Sequence, residues 1–314
     1  MLTVTRGLAD VQPRSYPVAT IGNFDGHHLG HRALLQTVAD AARRAGGTSV
    51  VLTFEPHPVK VLAPHVDLRF LTSPEEKLAR LEAAGVDEVV FIEFTPSLAS
   101  MSPEAFAESI LCRRLKIAEI FVGRHFAFGK GRVGLIADLE RYGAKLGFNV
   151  HPFPPVTLDG GVVSSTRIKQ LIQAGQMGDA ARLLGRWYAV TGDVIPGAQR
   201  GQSLGWPTAN LRLPPQRVVP PDGIYAARAT QDGATYDAVA YIGTRPTFGG
   251  GDRLLEVNLL DQNRNLYGRP LTVEFVERLR GDRSFATAEA LVEQIDQDAE
   301  RARERLKRAA EEVP

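Results

Sequence analysis

The chain has 314 residues, with 37 Lys or Arg against 36 Asp or Glu, so its formal net charge at pH 7 is +1. At roughly 100–200 residues per domain, that length predicts two domains. Near-neutral charge gives no footprint for a nucleic-acid partner, which needs clustered cations. No apolar run approaches the roughly 18 residues that span a bilayer, and residues 1–18 lack the basic start and apolar stretch of a secretion signal. Cys112 has no partner cysteine, which excludes an internal disulfide or a multi-cysteine metal site. A cytoplasmic protein is expected, with no nucleic-acid or membrane partner; a homo-oligomer stays open.

The first half alternates strand and helix patterns. Val18 to Ile21 reads as a strand. Leu34, Leu35, Val38, Ala41, Ala42 and Ala45 then share one helical stripe, stopped at Gly46-Gly47. Val50 to Phe54 is the next strand, and Ser73-Pro74 opens a helix with a capping serine and a first-turn proline. Glu88 to Phe94 is a strand, Ser102-Pro103 starts a helix, and Glu119 to Val122 is a strand. Asp138 to Leu146 is helical, and Phe148 to His151 returns to strand. Such alternation predicts a parallel sheet covered on both faces, with ligands at the carboxyl ends of its strands. Gly175 to Leu184 reads as a helical linker, and the domain boundary is placed at residue 185, giving domains 1–185 and 186–314.

Beyond that point strands follow one another without helices: Trp187 to Val194, Ile224 to Thr230, Tyr236 to Ile242, Leu254 to Leu260 and Leu271 to Arg278. This is the pattern of an antiparallel barrel or sandwich. A long amphipathic helix from Ala286 to Ala309 closes the chain, with Leu291, Ile295, Ala299 and Leu306 on its apolar face.

Four segments of the first half carry chemistry. Gly22-Asn23-Phe24-Asp25-Gly26-His27-His28-Leu29-Gly30-His31 joins strand to helix. Its glycines allow close approach to a ligand, and the helix N-terminus behind it favours phosphate. His28 and His31, three apart, project from one face of the first turn. A capped helix start with surface histidines would leave the same trace. Thr53-Phe54-Glu55-Pro56-His57-Pro58 stiffens a strand end. Gly123 to Arg132 alternates aromatics and cations, and Val163-Ser164-Ser165-Thr166-Arg167 offers hydroxyls, helix amides and a guanidinium. In the second half, Arg200 to Asn210 is a glycine-flanked loop in which Thr208 and Asn210 present hard oxygens suited to Mg²⁺. Each segment alone reads first as a turn, a cap or an exposed loop.

Together, in this order and spacing, the segments resemble the prokaryotic bifunctional riboflavin kinase/FAD synthetases over roughly residues 15–310. The resemblance implies an N-terminal Rossmann-like nucleotidylyltransferase domain with a parallel sheet. It also implies a C-terminal six-stranded antiparallel flavokinase barrel with a C-terminal helix. It implies phosphorylation of riboflavin to FMN by ATP, then adenylylation of FMN to FAD with release of pyrophosphate, with Mg²⁺ as cofactor. By resemblance, Gly22, Asn23, Phe24, Asp25, Gly26, His28, His31, Ser164, Thr166 and Arg167 bind ATP in the first domain, with His28 and His31 catalytic. Phe54, Pro56, His57, Pro58, His125, Phe126 and Phe128 bind its flavin. In the second domain the resemblance assigns ATP to Gly197, Arg200, Gly201, Ser203, Gly205, Pro207, Thr208 and Asn210, the metal to Thr208 and Asn210, and the flavin to Arg280 and Phe285. Glu256 becomes the general base. The chain departs from the usual family residue at His27, His125, Lys169, Gln202 and Asn258.

Overall fold

The computed structural model describes residues 1–196, 206–244, 253–262, 264, 266–310 and 312. They form two compact units, Met1–Val163 and Ser164–Pro314. In the first unit the order is β1 (Thr3–Arg6), β2 (Pro17–Ile21), α1 (Leu29–Arg44), β3 (Thr48–Glu55), α2 (Pro58–Leu62), α3 (Pro74–Ala83), β4 (Glu88–Glu93), α4 (Pro96–Ala99) and α5 (Pro103–Phe106). α5 runs on as a π-helix over Ala107–Arg114. β5 (Glu119–Gly123), α6 (Ile136–Leu146) and β6 (Asn149–Phe153) follow, then the small hairpin of β7 (Thr157–Leu158) and β8 (Gly161–Val162).

The six strands β1 to β6 make one parallel sheet in the order β1-β4-β3-β2-β5-β6. All five residues of β2 are buried, as expected of a strand covered on both faces. Successive residues alternate between two cores. Val18, Val51, Val89 and Phe91 pack with Leu34, Leu35 and Val38 of α1 and Leu81 of α3. Ala19, Ile21, Leu52 and Val90 pack with Phe106, Leu111 and Leu139 on the other side. After β2 the chain goes to β3 on one side and later returns to β5 on the other. The crevice beyond the carboxyl ends of β2 and β5 is therefore a topological switch point.

The expected helices and strands of this half are present within a few residues. The Ser73 start is a full capping box: the Glu76 amide donates to Ser73 Oγ, and the Ser73 amide donates to Glu76 Oε2. β1 carries no apolar alternation strong enough to read from sequence, being Thr-Val-Thr-Arg with only Thr5 buried.

The second unit begins with α7 (Ser165–Gln173) and α8 (Met177–Leu184). Strands β9 (Tyr188–Ile195), β10 (Ala209–Arg212), β11 (Gly223–Gln231), β12 (Ala234–Thr244), β13 (Arg253–Leu259) and β14 (Pro270–Arg280) follow, and α9 (Ala288–Ala309) closes the chain. The strands form a closed antiparallel barrel in the order β10-β13-β12-β11-β14-β9, and closure removes every exposed sheet edge. Tyr188, Tyr225 and Phe275 are among its largest fully buried side chains. α9 covers the outside, with Ala299, Ala302, Leu306 and Ala309 against Ala226, Val276 and Leu279; Leu291 and Ile295 of its expected face are only half-buried.

The stretch expected as a linker is helical but is packed rather than free. Met177, Ala180, Ala181, Leu183 and Leu184 are buried, and Ala181 joins Trp187 and Val276 in the barrel's outer core. A five-residue apolar face explains why it docks. α8 ends at Gly185 in the left-handed conformation, φ +68°, while the compact units themselves divide after Val163.

Candidate active sites

Three of the four segments singled out in the first half leave the sheet at adjacent places. Residues 22–28 follow the carboxyl end of β2, residues 56–57 that of β3 and residues 124–135 that of β5, and β3, β2 and β5 are neighbours. The fourth begins beside them: Val163 O lies 3.6 Å from where a Cβ on Gly30 would stand. The first three of these loops therefore cluster at the switch point.

Within the β2–α1 loop, several side chains turn inward. Phe24 and Asp25 are 2% and 6% exposed. Asp25 Oδ1 accepts from the amides of Leu71 (2.8 Å) and Thr72 (3.2 Å) and from Thr72 Oγ1 (3.3 Å). The Gly26 amide donates to Thr72 Oγ1 at 3.2 Å. This clamp brings Leu71 so close that a Cβ on Gly26 would stand 2.6 Å from Leu71 Cδ1, and Gly26 also has φ +83°, a conformation glycine adopts without steric penalty. Asp25 thus fixes the loop's shape. His27 is buried as well, at φ +44°.

His28 is the N-cap of α1, and the His31 amide donates to its Nδ1 at 3.2 Å. An accepting Nδ1 carries no proton, so the neutral ring bears its hydrogen on Nε2. The His28 and His31 rings stack with centroids 3.6 Å apart and planes at 16°, and Phe24 closes the other side of His31 at 5.1 Å. Burial, then the neighbouring His28, His27 and Lys77, hold the His31 imidazole well below its usual range. His31 is therefore neutral near pH 7, and its buried Nδ1 has no hydrogen-bond partner. Lys77 of α3 was not singled out from sequence; nothing in the helix pattern marks one lysine among several. Burial lowers its ammonium from the usual range, against the raising influence of Asp25 and Glu55.

The aromatic segments divide. Phe128 is 6% exposed and belongs to the core, with Phe106 at 6.0 Å. Phe126 stacks on it at 5.5 Å and 11°. His125 is exposed. Phe54 meets Phe94 edge-on at 5.4 Å, and His57 caps α2 and meets Phe70 at 5.5 Å. Pro56 is exposed and Pro58 half-buried.

In the second unit, Ser164 caps α7 by accepting from the Arg167 amide at 3.3 Å, and Thr166 is exposed. On the barrel, Asn210 pairs with Glu256, Glu256 with Tyr241, Tyr241 with Ile224 and Ile224 with Arg280. Residues opposite each other on a ladder share a face. Their neighbours Leu211, Leu255 and Ile242, all fully buried, fill the interior, so this row lies on the outer face. Asn210 is 3% exposed, and its Oδ1 has no hydrogen-bond partner. Asn258, two residues beyond Glu256, donates from Nδ2 to Pro207 O at 2.7 Å and so holds the segment carrying Thr208.

Sequence reasoning gave Tyr241 and Asp282 no role. The Tyr241 hydroxyl donates to Asp282 Oδ2 at 3.1 Å. Burial, then Asp282 and more weakly Glu256, push Tyr241 up to about 12. Arg280, expected at the flavin, is already engaged. Its Nε and Nη2 donate to Asp298 of α9 at 2.8–3.1 Å and its Nη1 to Gly281 O. Its guanidinium carbon lies 5.8 Å from the Phe285 ring centre. Gly197, Arg200, Gly201, Gln202, Ser203 and Gly205 lie outside the described residues.

The donor set suits a hard cation. Asn210 Oδ1, buried and unpartnered, and the half-buried Thr208 offer oxygens of the kind Mg²⁺ prefers. Among the described residues no cluster of three or more His, Cys, Asp or Glu could hold a metal.

A parallel sheet with loops converging on its switch point, followed by a closed six-stranded barrel, defines a two-domain nucleotide-handling architecture. Family models match in the same order: FAD synthetase over residues 11–167 and riboflavin kinase over residues 184–306. A bifunctional riboflavin kinase/FMN adenylyltransferase from Pseudomonas fluorescens is 39% identical over 309 residues, covering 96% of this chain and 97% of that protein. One of the same name from Escherichia coli (strain K12) is 36% identical over 96% and 97%. A solved Streptococcus pneumoniae structure described as a macrolide-efflux protein superposes with a TM-score of 0.88 at 31% identity over 96% of this chain and 98% of that one. In the present chain no helix among the described residues is long and apolar enough to cross a membrane. The chain belongs to the family of bifunctional riboflavin kinase/FMN adenylyltransferases.

Proposed function

We infer that the chain makes FAD from riboflavin in two ATP-dependent steps, phosphorylation on the barrel unit and adenylylation on the parallel-sheet unit, in the cytoplasm. The observation that supports this reading most is the row Asn210–Glu256 on the barrel's outer face: an unpartnered buried oxygen directly across a ladder from a carboxylate.

In the kinase step Thr208 and Asn210 would hold Mg²⁺ with ATP. Bound there, the ion supplies neutralisation of phosphate charge. Glu256 orients the 5′-hydroxyl of riboflavin and accepts its proton as the oxygen bonds to the γ-phosphorus and the bond to the β-phosphate oxygen breaks. Tyr241, kept protonated, stays a donor and fixes Asp282 at the edge of the same surface. Arg280, locked to Asp298, holds the end of β14 and α9 around Phe285.

In the adenylylation step an FMN phosphate oxygen attacks the α-phosphorus of the second ATP, and the bond to the β-phosphate breaks to release pyrophosphate. The nucleophile is already ionised, so no strong base is needed and the work is positioning and charge stabilisation. His28 Nε2–H and the first-turn amides of α1 donate to phosphate oxygens. The stack on His28 and Phe24 holds the His31 ring in place. Ser164, Thr166 and Arg167 complete the grip on the nucleotide, and the loops bearing His57 and His125–Phe126 receive the flavin.

Incubation with riboflavin, ATP and Mg²⁺, with flavins separated by chromatography over time, tests both steps. FMN followed by FAD is expected. FMN alone would defeat the adenylylation half, and neither product would defeat the reading as a whole.

A further inference from the structure

The β2–α1 loop meets a polyanionic substrate with little positive charge of its own. Between Gly22 and His31 there is no Lys or Arg, and the loop carries the acidic Asp25. Two of its three histidines offer neutral donors: His31 is held uncharged, and His28 is fixed as an Nε2–H tautomer by its cap bond. A formal cation near the phosphates has to come from another element.

α3 is the element tied to the loop. The Asp25 and Gly26 clamp grips Leu71 and Thr72, the two residues before its N-cap Ser73. Lys77 stands one turn further along, with its amide bonded to Ser73 O at 2.9 Å, so it shares the face of the clamped end. It is half-buried. Among the described residues its ammonium makes no hydrogen bond and no ion pair. Lysine is rarely buried unless paired, because desolvating an ammonium without a partner is costly. At the carboxyl end of the sheet Arg6 is already bound to Glu55.

We propose that Lys77 is a phosphate ligand of the adenylyl-transfer site, where its ammonium takes the charge of the nucleotide's phosphates beside His28 and His31. This rests on the adenylylation reading above. The ammonium lies within electrostatic range of His31, Asp25 and Glu55. It is carried on a rigid connection to the loop, so it arrives pre-positioned rather than by a rearrangement of the chain.

The test uses the full-length K77M and K77R variants. FAD formation is measured from FMN at varied ATP, and FMN formation from riboflavin on the same preparation serves as the internal reference. The binding of Mg²⁺-pyrophosphate is measured by calorimetry. K77M is expected to lower kcat/KM for ATP in FAD formation by about 10- to 100-fold, the range for losing one charge-assisted bond. K77R, which keeps the charge, is expected to recover most of that loss. A K77M change within twofold would overturn the proposal, as would equal losses in both variants, which mark a packing role. If the unaltered chain makes no FAD, the adenylylation reading fails by itself. In that case pyrophosphate binding weakened by K77M and restored by K77R still supports the phosphate-ligand assignment, and unaltered binding refutes it.

Discussion

Removing the carboxylate of Asp298 is expected to cost more stability than any other single change on the barrel's surface. Its side chain is 2% exposed and that of Arg280 is 15% exposed. Asp298 accepts three bonds from Arg280, at 2.8, 3.0 and 3.1 Å, and one from Gln294 at 3.1 Å. Asp298→Ala leaves the guanidinium buried with only Gly281 O as acceptor. Breaking a buried pair by deleting one partner costs about 3–5 kcal/mol, mostly because the remaining charge is uncompensated. At about 2–4 °C per kcal/mol for a unit of this size, melting should fall by roughly 10 °C. The double variant Asp298→Ala with Arg280→Leu removes the stranded charge and should recover a large part of the loss. Trp187 and Trp206 both lie in this unit, so tryptophan fluorescence in a urea titration reports it selectively. A loss below about 1 kcal/mol for Asp298→Ala, or a double variant no more stable than the single one, would refute the reasoning.

Glu256→Gln is expected to slow FMN formation by about 10²- to 10⁴-fold while FAD formation from added FMN continues, because only the first step uses that base; a chromatographic assay of the two steps separates them. Asn210→Ala should weaken the same step and shift its Mg²⁺ requirement upward, read as the metal concentration for half-maximal rate. Gly26→Ala forces a side chain onto Leu71 at φ +83°; a destabilisation of about 2 kcal/mol or more is expected, with loss of FAD formation before FMN formation. For His31, the folded imidazole protonates less readily than the unfolded one. Its contribution to stability is therefore complete above the unfolded value near 6.5 and is lost as pH falls towards the folded one. The urea midpoint of the first unit, followed by circular dichroism, should drop below pH 6.5, and His31→Gln should flatten that slope.

Local chemistry was legible residue by residue. Ser73 and Pro74 spelled a capped helix start, which the structure completes as a capping box with Glu76; the apolar stripe from Leu34 to Ala42 spelled α1, and the three-residue spacing of His28 and His31 placed both rings on one turn, where they stack. These follow from bond geometry over four residues, which sequence encodes directly. Phe24 and Phe128 look like ligand aromatics in sequence, yet both are core side chains. Composition cannot separate a ring that stacks on a substrate from one that stacks on the protein.

What the tertiary structure decided was adjacency. The Thr-Val-Thr-Arg strand β1 exists because β4 offers it a parallel edge, not because its own pattern demands it. Asn210, Glu256, Tyr241 and Arg280 are scattered over 71 positions and become one row only through barrel register. Lys77 is one lysine among several until Asp25 clamps Thr72 and swings α3 against the loop. Hydrophobic period tells each segment which face to bury; which distant segment it meets there is settled when the sheet orders its strands and the barrel closes.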